Sequence, residues 1–140
     1  MSDRTIFERI VDGEIPARVV HETETTLAFL DASPLAPGHT LVIPKEPYER
    51  LRDAPEDVAA DVFAVVRELT PRIEDAVEAD AVNVGINDGP EAGQEVPHLH
   101  VHIVPRFEGD GGRPIHAVAG ESPDLDDDEL DRIADAIGGG

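Results

Sequence analysis

Apolar and polar residues alternate along the chain with periods that predict short strands and amphipathic helices. The pattern predicts strands over 18–22, 26–30, 39–43, 82–86 and 98–104, and helices over 6–10, from Pro55 to Val77, and from Ser122 towards the end. A short polar turn joins the first two strands as a hairpin. The resulting order, α-β-β-β-α-β-β-α, predicts an α+β fold with a mostly antiparallel five-stranded sheet, one long helix and a C-terminal helix.

Both longer helices carry features that the fold must accommodate. Pro71 falls inside the long helix, which we expect it to kink or split. The C-terminal helix places Leu130, Ile133 and Ile137 on one side. Residues 121–135 carry eight acids against one Arg, so the opposite side is expected to face solvent.

No internal repeat or linker interrupts the pattern, which predicts a single domain over 1–140. Within it, 108–140 is expected to form a mobile loop, 108–114, followed by the acidic helix. The 140 residues are 40% hydrophobic, enough for one core.

Composition excludes several classes of protein. The chain carries 31 Asp and Glu against 11 Lys and Arg, a formal charge of −20, which excludes a basic nucleic-acid-binding face as its main role. No apolar run approaches the roughly 18 residues that a membrane helix needs, and the N-terminus does not resemble a signal peptide. The absence of Cys excludes disulfides and thiolate metal sites. We expect a soluble cytoplasmic protein without nucleic-acid or membrane partners.

The acids are spread along the chain, and only one basic residue is a lysine. Self-repulsion of this size destabilises a compact state unless salt screens it. The composition therefore indicates a cell interior with very high salt, as in halophiles, with an ordinary very acidic protein as the alternative. Acids are missing from 32–45, 96–107 and 111–120, and these segments hold five of the six histidines together with Lys45 and Arg106.

Three histidines, His98, His100 and His102, alternate along the last predicted strand. Side chains alternate faces along a strand, so the three imidazoles share one face while Leu99, Val101 and Ile103 enter the core. Such a row suits either metal ligation or nucleophilic attack by a neutral imidazole. The glycine-rich loop 87–94, whose N–H groups are expected to bind an anion, and Arg106 favour the second chemistry.

These residues resemble the histidine-triad family of nucleotide hydrolases and transferases, whose His-x-His-x-His signature here is His98-Leu99-His100-Val101-His102. The resemblance covers roughly residues 5–107 in the family order. It includes Ile6–Phe7, Gly13–Pro16, Leu27–Asp31, Ala36–His39, Leu41–Lys45 and Asn87–Gln94.

The resemblance implies an enzyme that cleaves at the α-phosphate of a nucleoside phosphoramidate, an adenylate conjugate or a dinucleoside polyphosphate. It makes His100 the nucleophile that becomes a nucleotidyl-histidine. His102 would contact a phosphate oxygen, and His98 would pair with His39.

The resemblance also implies the binding residues and the assembly. Asn87 and Gln94 would contact phosphate or the leaving group, and Asp31 would accept the ribose hydroxyls. Leu27 with Phe29 or Leu30 would line the base pocket. Members of the family usually form homodimers with a continuous sheet, so a homodimer is expected here.

The chain departs from the family pattern at the zinc positions, at Glu95, and in having no long C-terminal specificity segment after the triad. Many members bind zinc through Cys-x-x-Cys and a later His, where this chain has Thr5, Glu8 and Pro47. We therefore predict no structural zinc and no cofactor. Glu95 stands where some relatives carry Ser or Thr to protonate an amine leaving group, which a carboxyl group does only in its protonated form. Two alternatives stay open, a non-catalytic nucleotide-binding or scaffold module and a metal-dependent hydrolase that uses the histidine row as ligands.

Overall fold

The computed structural model of the protein describes residues 4–139. Its helices are α1 (Ile6–Val11), α2 (Glu56–Val77) and α3 (Asp127–Gly138), and its strands are β1 (Val19–Glu22), β2 (Thr26–Leu30), β3 (Thr40–Pro44), β4 (Ala81–Gly85) and β5 (Val101–Arg106). The predicted α+β class and order of elements are confirmed. None of the helices in the described range is long and apolar enough to cross a membrane.

The five strands form one antiparallel sheet in the order β1-β2-β3-β5-β4. The central pair, β3 and β5, fixes the position of the histidines. Leu41 lies opposite His102 and Val42 lies opposite Val101. This register places His102 near the start of β3 and leaves the residues before Val101 near its end.

Hydrophobic residues pack against both faces of the sheet. Helix α2 covers one face, where Val62, Val66 and Leu69 lie against Val101 and Ile103. Helix α1 covers part of the other face through Phe7, which packs with Leu27, Phe29, Leu41 and Ile43. The histidine face is therefore the α1 face, and α2 supports it from behind.

Pro71 does not split α2, which is continuous over its 22 residues. A proline lacks the N–H that would bond the carbonyl four residues earlier, here that of Arg67. The Thr70 hydroxyl donates to this carbonyl at 3.2 Å. The exposed position of Pro71 and this substitute bond explain why the predicted break is wrong.

The C-terminal segment differs from the prediction in its start and in its packing. Helix α3 begins at Asp127, where Asp126 and Glu129 form a capping box. Leu130, Ile133 and Ile137, which the sequence places on one side of this helix, are exposed. An amphipathic stripe becomes buried only against an apolar partner, so its exposure shows that this side of α3 is not part of the core.

Hydrogen bonds organise the loop over 108–114, for which the sequence predicts mobility. The Asp110 carboxylate accepts hydrogen bonds from the backbone N–H groups of Phe107 and Gly112. It also accepts from the Arg106 guanidinium, at 2.9 and 3.0 Å. These four bonds hold the pKa of Asp110 well below its usual range. Asp110 thus fixes the conformation of the turn that follows β5.

Candidate active site

His100 has one ring nitrogen held by the backbone and the other directed to a cavity. Its Nδ1 lies 2.7 Å from the carbonyl oxygen of His98. A carbonyl can only accept, so Nδ1 carries the proton and Nε2 carries a lone pair. His100 lines a cavity of about 700 Å³ on the α1 face. A neutral imidazole held in this way has a lone pair on Nε2, which is the chemical requirement for a nucleophile, and the cavity is large enough for a small-molecule ligand.

The histidine row is only partly a strand. Strand β5 begins at Val101, so His98, Leu99 and His100 precede it. The N–H of Leu99 donates to the carbonyl of Tyr48 at 2.6 Å rather than to β3. The rings of His100 and His102 nevertheless lie edge to face with centroids 5.0 Å apart.

His39 is bonded to His102, and the direction of this bond can be derived. The backbone N–H of Leu35 donates to His39 Nδ1 at 3.0 Å, so the proton of neutral His39 lies on Nε2. His39 Nε2 lies 3.0 Å from His102 Nδ1 and donates to it. The proton of neutral His102 is therefore on Nε2, the nitrogen that remains for a ligand. One backbone amide thus fixes the tautomers of two histidines.

Burial keeps these imidazoles neutral. It lowers the pKa of His39, although the Asp31 carboxylate opposes this shift. Burial also lowers the pKa of His98. For His102, burial and the neighbouring His100 and His39 lower the pKa to about 4. Near neutral pH the neutral tautomers of His39 and His102 are therefore those present.

The predicted pairing of His98 with His39 is wrong. His98 Nε2 bonds to the carbonyl of Pro44 at 2.8 Å, at the opposite end of β3 from His39. The register between β3 and β5 places His39 beside His102 instead. His98 is completely buried, and it holds the array through its backbone carbonyl rather than through a histidine partner.

The apolar wall of the cavity comes from β2, β3 and α1. Phe29, Leu30 and Leu41 line it as strand residues, and Ile6, Phe7 and Ile10 line it from α1. Leu27 does not line the cavity, so its predicted place in the base pocket is wrong. It is 4% exposed and packs in the core beside Ile43. The wall offers a flat ligand ring an aromatic and aliphatic surface.

Besides His100 and His102, the polar side chains that line the same cavity are those of Arg18, Asp31, Ser33, Asn87 and Glu95. Asp31 Oδ1 accepts the backbone N–H of Ser33 at 2.9 Å, and Oδ2 lies 3.6 Å from His39 Nε2. Asp31 therefore has a turn-forming role as well as a free edge towards the cavity. Arg18 is the sole Arg or Lys among the lining residues that the structure describes.

The Gln94 side chain forms its hydrogen bonds with the backbone of the glycine-rich loop and of neighbouring segments. Its Oε1 accepts the N–H of Gly89, and its Nε2 donates to the carbonyls of Glu49 and Val96. It does not line the cavity, so the structure does not place it where the resemblance implied. The N–H groups of Gly89, Ala92, Gly93 and Gln94 also bond within the loop, contrary to the expectation that they are available to an anion.

Two basic side chains from the acid-free segments, Lys45 and Arg106, form their ion pairs and hydrogen bonds away from the cavity. Lys45 Nζ bonds to Glu22 at 2.7 Å, and Arg106 bonds to Asp110 and Asn83. Neither lines the cavity, so the expectation that Arg106 supports nucleophilic chemistry beside the histidines is wrong.

Asp31, His39 and His102 are close enough to share a metal ion, with donor atoms within 4.8 Å of one another. The hydrogen bonds oppose this. A histidine that binds a metal normally donates its other ring N–H to an acceptor. Here the other nitrogen of His39 faces a donor, the N–H of Leu35. The donor set therefore fits a hydrogen-bond relay that fixes tautomers and not a metal site.

The residues at the family's zinc positions do not fit a zinc ion either. The Thr5 hydroxyl accepts the N–H of Glu8, and the Glu8 carboxylate accepts the N–H of Thr5, which caps α1. Pro47 is exposed and offers no side-chain ligand. The prediction of no structural zinc remains a prediction.

Comparison with known proteins identifies the family. A model described as "HIT domain" matches residues 12–109. A HIT-like protein of Methanocaldococcus jannaschii is 48% identical over 106 residues, which are 76% of this chain and 81% of that protein. The chain belongs to the HIT family, the histidine-triad family that its sequence resembles.

Relatives whose names state an activity, and solved structures, are consistent with this family assignment. The asymmetrical bis(5'-nucleosyl)-tetraphosphatase of Schizosaccharomyces pombe is 43% identical over 96 residues, 69% of this chain and 53% of that protein. A HIT family protein of Bacillus subtilis superposes with a TM-score of 0.83 at 34% identity, covering 98% of this chain and 96% of that one. A histidine triad nucleotide-binding protein of Candida albicans superposes with a TM-score of 0.81 at 32% identity, covering 96% and 94%.

Sequence reasoning misses the contributions of α1 and of Arg18. The sequence pattern assigns Ile6, Phe7 and Ile10 only to a short helix. Arg18 lies in 15–21, a short segment without acids, which is a usable signal in so acidic a chain. For α1 no sequence signal distinguishes a cavity wall from a core contact.

Proposed function

We propose that this HIT-domain chain is a nucleotide-binding hydrolase that cleaves at an α-phosphorus through a covalent nucleotidyl-histidine on His100. One observation carries the proposal. The His98 carbonyl accepts a hydrogen bond from the Nδ1–H of His100, so that in the neutral ring the lone pair is on Nε2, and His100 lines the cavity. The backbone carbonyl thereby selects the tautomer of the neutral ring that can attack through Nε2.

The first step forms one bond and breaks one. His100 Nε2 donates its electron pair to phosphorus, and the bond from phosphorus to the leaving group breaks. The leaving group departs with that electron pair and takes up a proton. The imidazole becomes positively charged, and the His98 carbonyl, 2.7 Å from Nδ1, stabilises this charge.

The second step regenerates the enzyme. Water attacks phosphorus, the P–N bond breaks and its electron pair returns to His100 Nε2. The proton lost by the water passes to solvent. In both steps the Nε2–H of His102 donates a hydrogen bond to a phosphate oxygen, because His39 occupies its Nδ1. This donor stabilises the charge that develops at phosphorus.

The cavity also supplies a nucleoside site. Phe29 and Phe7, whose rings lie edge to face with centroids 5.7 Å apart, form an aromatic wall for the base. The Asp31 carboxylate accepts the ribose hydroxyls, and Asn87 contacts phosphate or the leaving group. The substrate classes are nucleoside phosphoramidates, adenylate conjugates and dinucleoside polyphosphates.

Trapping of the intermediate tests the proposal. Purified protein is mixed with substrates labelled at the α-phosphate, and the reaction is quenched in base, which preserves a phosphorus–histidine bond. We expect label on the protein that is lost in acid and absent from His100→Ala. His116→Ala is the matched control, because His116 is exposed and does not line the cavity.

The same assay distinguishes the alternatives. Nucleotide binding without turnover of any substrate class would favour the non-catalytic module. Loss of turnover on addition of a chelator, restored by a divalent metal, would favour the metal-dependent hydrolase. Wild-type turnover by His100→Ala would exclude His100 as the nucleophile.

The proposed enzyme works as a homodimer. Within residues 4–139, β4 pairs with β5 on one side only and leaves Val84 40% exposed at the sheet edge. A paired edge would bury this strand. Light scattering in high potassium chloride should give twice the chain mass, and Val84→Lys should reduce it. A monomer at all concentrations would contradict the homodimer.

A further inference from the structure

Thr5 stands where helix α1 meets the histidine segment. It is the N-cap of α1, and its hydroxyl oxygen accepts the backbone N–H of Glu8 at 3.1 Å. The same oxygen lies 3.0 Å from Nδ1 of His98, which is 93 residues away in the chain. A hydroxyl has one proton and can accept and donate at the same time. Thr5 can therefore cap the helix and bind His98 together.

The direction of the contact with His98 follows from its other nitrogen. His98 Nε2 lies 2.8 Å from the carbonyl of Pro44, which can only accept, so Nε2 carries the proton. The neutral ring then has a lone pair on Nδ1, which must accept a hydrogen bond. The Thr5 hydroxyl is the donor at that position. Both ring nitrogens of a completely buried histidine are thereby satisfied.

Individual hydrogen bonds replace the strand ladder in the segment that includes His98. The ladder between β3 and β5 ends at the pair Val42 and Val101, so residues 98–100 lie outside it. The segment is held by the bonds of His98 N–H to Val96 and of Leu99 N–H to Tyr48, and by those of the His98 ring to Pro44 and Thr5. The His98 carbonyl in turn holds the proposed nucleophile, His100. A rotation of the His98 ring would be transmitted to that carbonyl.

We propose that Thr5 is a positioning residue of the histidine array: its hydroxyl holds the His98 ring, and through the His98 carbonyl it aims Nε2 of His100. Phe7 on the same helix supports this arrangement, because its ring lies edge-on to both His98 and His100, with centroids 5.7 and 5.0 Å apart. The effect of Thr5 on turnover rests on the proposed hydrolase activity, whereas its effect on the tautomer of His98 does not depend on that activity.

Three substitutions separate helix capping from donation to His98. Thr5→Ser keeps both roles. Thr5→Asp keeps the cap, since Asp is a preferred N-cap residue, but its carboxylate cannot donate to Nδ1. Thr5→Val removes both. Glu8→Ala is the matched control, because it removes the other half of the capping box and leaves the Thr5 hydroxyl in place.

Two measurements are made on each variant, the ¹⁵N shifts of the His98 ring and the steady-state kinetics. We expect wild type and Thr5→Ser to show a proton on Nε2 alone. In Thr5→Val and Thr5→Asp the ¹⁵N shifts of the His98 ring should change, because Nδ1 loses its hydrogen-bond donor. In these two variants kcat should fall by about ten- to a hundredfold, the range expected when a reacting group is displaced, with KM nearly unchanged. Glu8→Ala should keep the His98 shifts and most of kcat.

The results that would overturn the proposal are distinct from failure of the proposed function. Unchanged His98 shifts in Thr5→Asp, with that variant folded by circular dichroism, would overturn it. An equal loss of kcat in Glu8→Ala and Thr5→Val would show that helix stability alone matters and would overturn it too. If the wild type turns over no substrate, the hydrolase fails and the His98 shifts still decide the role of Thr5.

Discussion

His39 Nε2 donates a hydrogen bond to His102 Nδ1 across the neighbouring strands β3 and β5, over 3.0 Å. The direction of this bond is set by the N–H of Leu35, which occupies the other nitrogen of His39. A loop amide therefore determines which nitrogen of His102 can donate into the cavity. We expect measurable consequences of this hydrogen-bond relay from Leu35 through His39 to His102, of the charges around the cavity and of the acidic surface.

Removing the donor at position 39 should impair the phosphate contact of His102. In His39→Leu nothing donates to His102 Nδ1, so that nitrogen is free to take the proton and Nε2 loses it. We expect kcat to fall on the order of a hundredfold, the loss seen when one donor to a developing charge is removed. The measurement is steady-state turnover together with the ¹⁵N shifts of His102.

His39→Gln is the matched variant for this prediction. The glutamine amide NH₂ can take the place of Nε2 and donate to His102, so most of the activity should return. Equal activity of wild type and His39→Leu would contradict the relay.

The free energy of unfolding should decrease as the pH is lowered, and His102 should contribute to this decrease. The folded-state pKa of His102 is lowered to about 4 by burial, against 6.5 in an unfolded chain. As the pH falls below about 6.5, the unfolded chain takes up this proton first, so the free energy of unfolding decreases until the pH reaches about 4. Urea unfolding of wild type at several pH values between neutrality and about 5 measures this loss.

His102→Asn provides the reference, because it shares every carboxylate with the wild type. The stability difference between wild type and variant should shrink as the pH falls from neutrality to about 5. A constant difference over this range would show that His102 titrates alike in both states.

Glu95 should disfavour highly anionic substrates. Its carboxylate lines the cavity with His100, so it repels a polyphosphate leaving group more than an uncharged or cationic one. For Glu95→Gln, kcat/KM for a dinucleoside tetraphosphate should rise about two- to fivefold at low salt, as expected for one exposed charge pair. The value for a phosphoramidate with an amine leaving group should not rise.

Glu91→Gln is the control for Glu95, since it removes a charge from the same loop but does not line the cavity. A similar gain in both variants would assign the effect to overall charge rather than to the cavity.

Arg18 should contribute to nucleotide binding. As the sole Arg or Lys lining the cavity in the described part of the chain, it attracts an anionic ligand. Arg18→Ala should raise KM about two- to fivefold with kcat unchanged, because an exposed charge of this kind contributes to attraction of the anionic ligand. Arg52→Ala, an exposed charge outside the cavity, should change neither constant. A loss confined to kcat would contradict this role.

Salt should favour both folding and turnover. The chain carries a charge of −20 and must bring an anionic nucleotide to its surface. From about 0.1 M to about 1 M salt the Debye length falls from about 10 Å to about 3 Å, which screens the acids from each other and from the substrate. The folded fraction, followed by circular dichroism, and kcat/KM should both rise over this range of potassium chloride. A fully folded protein with its highest kcat/KM at about 0.1 M would show that the acidic surface is not an adaptation to salt.

The sequence by itself determined the fold class and the face on which the histidines lie. Period-2 alternation assigns side chains to faces, so the spacing alone places Val101 and Ile103 in the core and His102 on the opposite face. The positions of β1, β2, β3 and α2 follow from periodicity in the same way. These properties depend on local spacing, which a sequence displays directly.

The tertiary structure alone decided which groups meet. The pairing of His39 with His102, and not with His98, depends on the register between β3 and β5. Local periodicity does not determine this register. Thr5 reaches His98 across 93 residues for the same reason. The solvent exposure of α3 and the internal bonds of Gln94 likewise depend on distant partners. Spacing along a chain fixes the face of a residue, whereas hydrogen-bond partners are fixed by contacts between segments far apart in sequence.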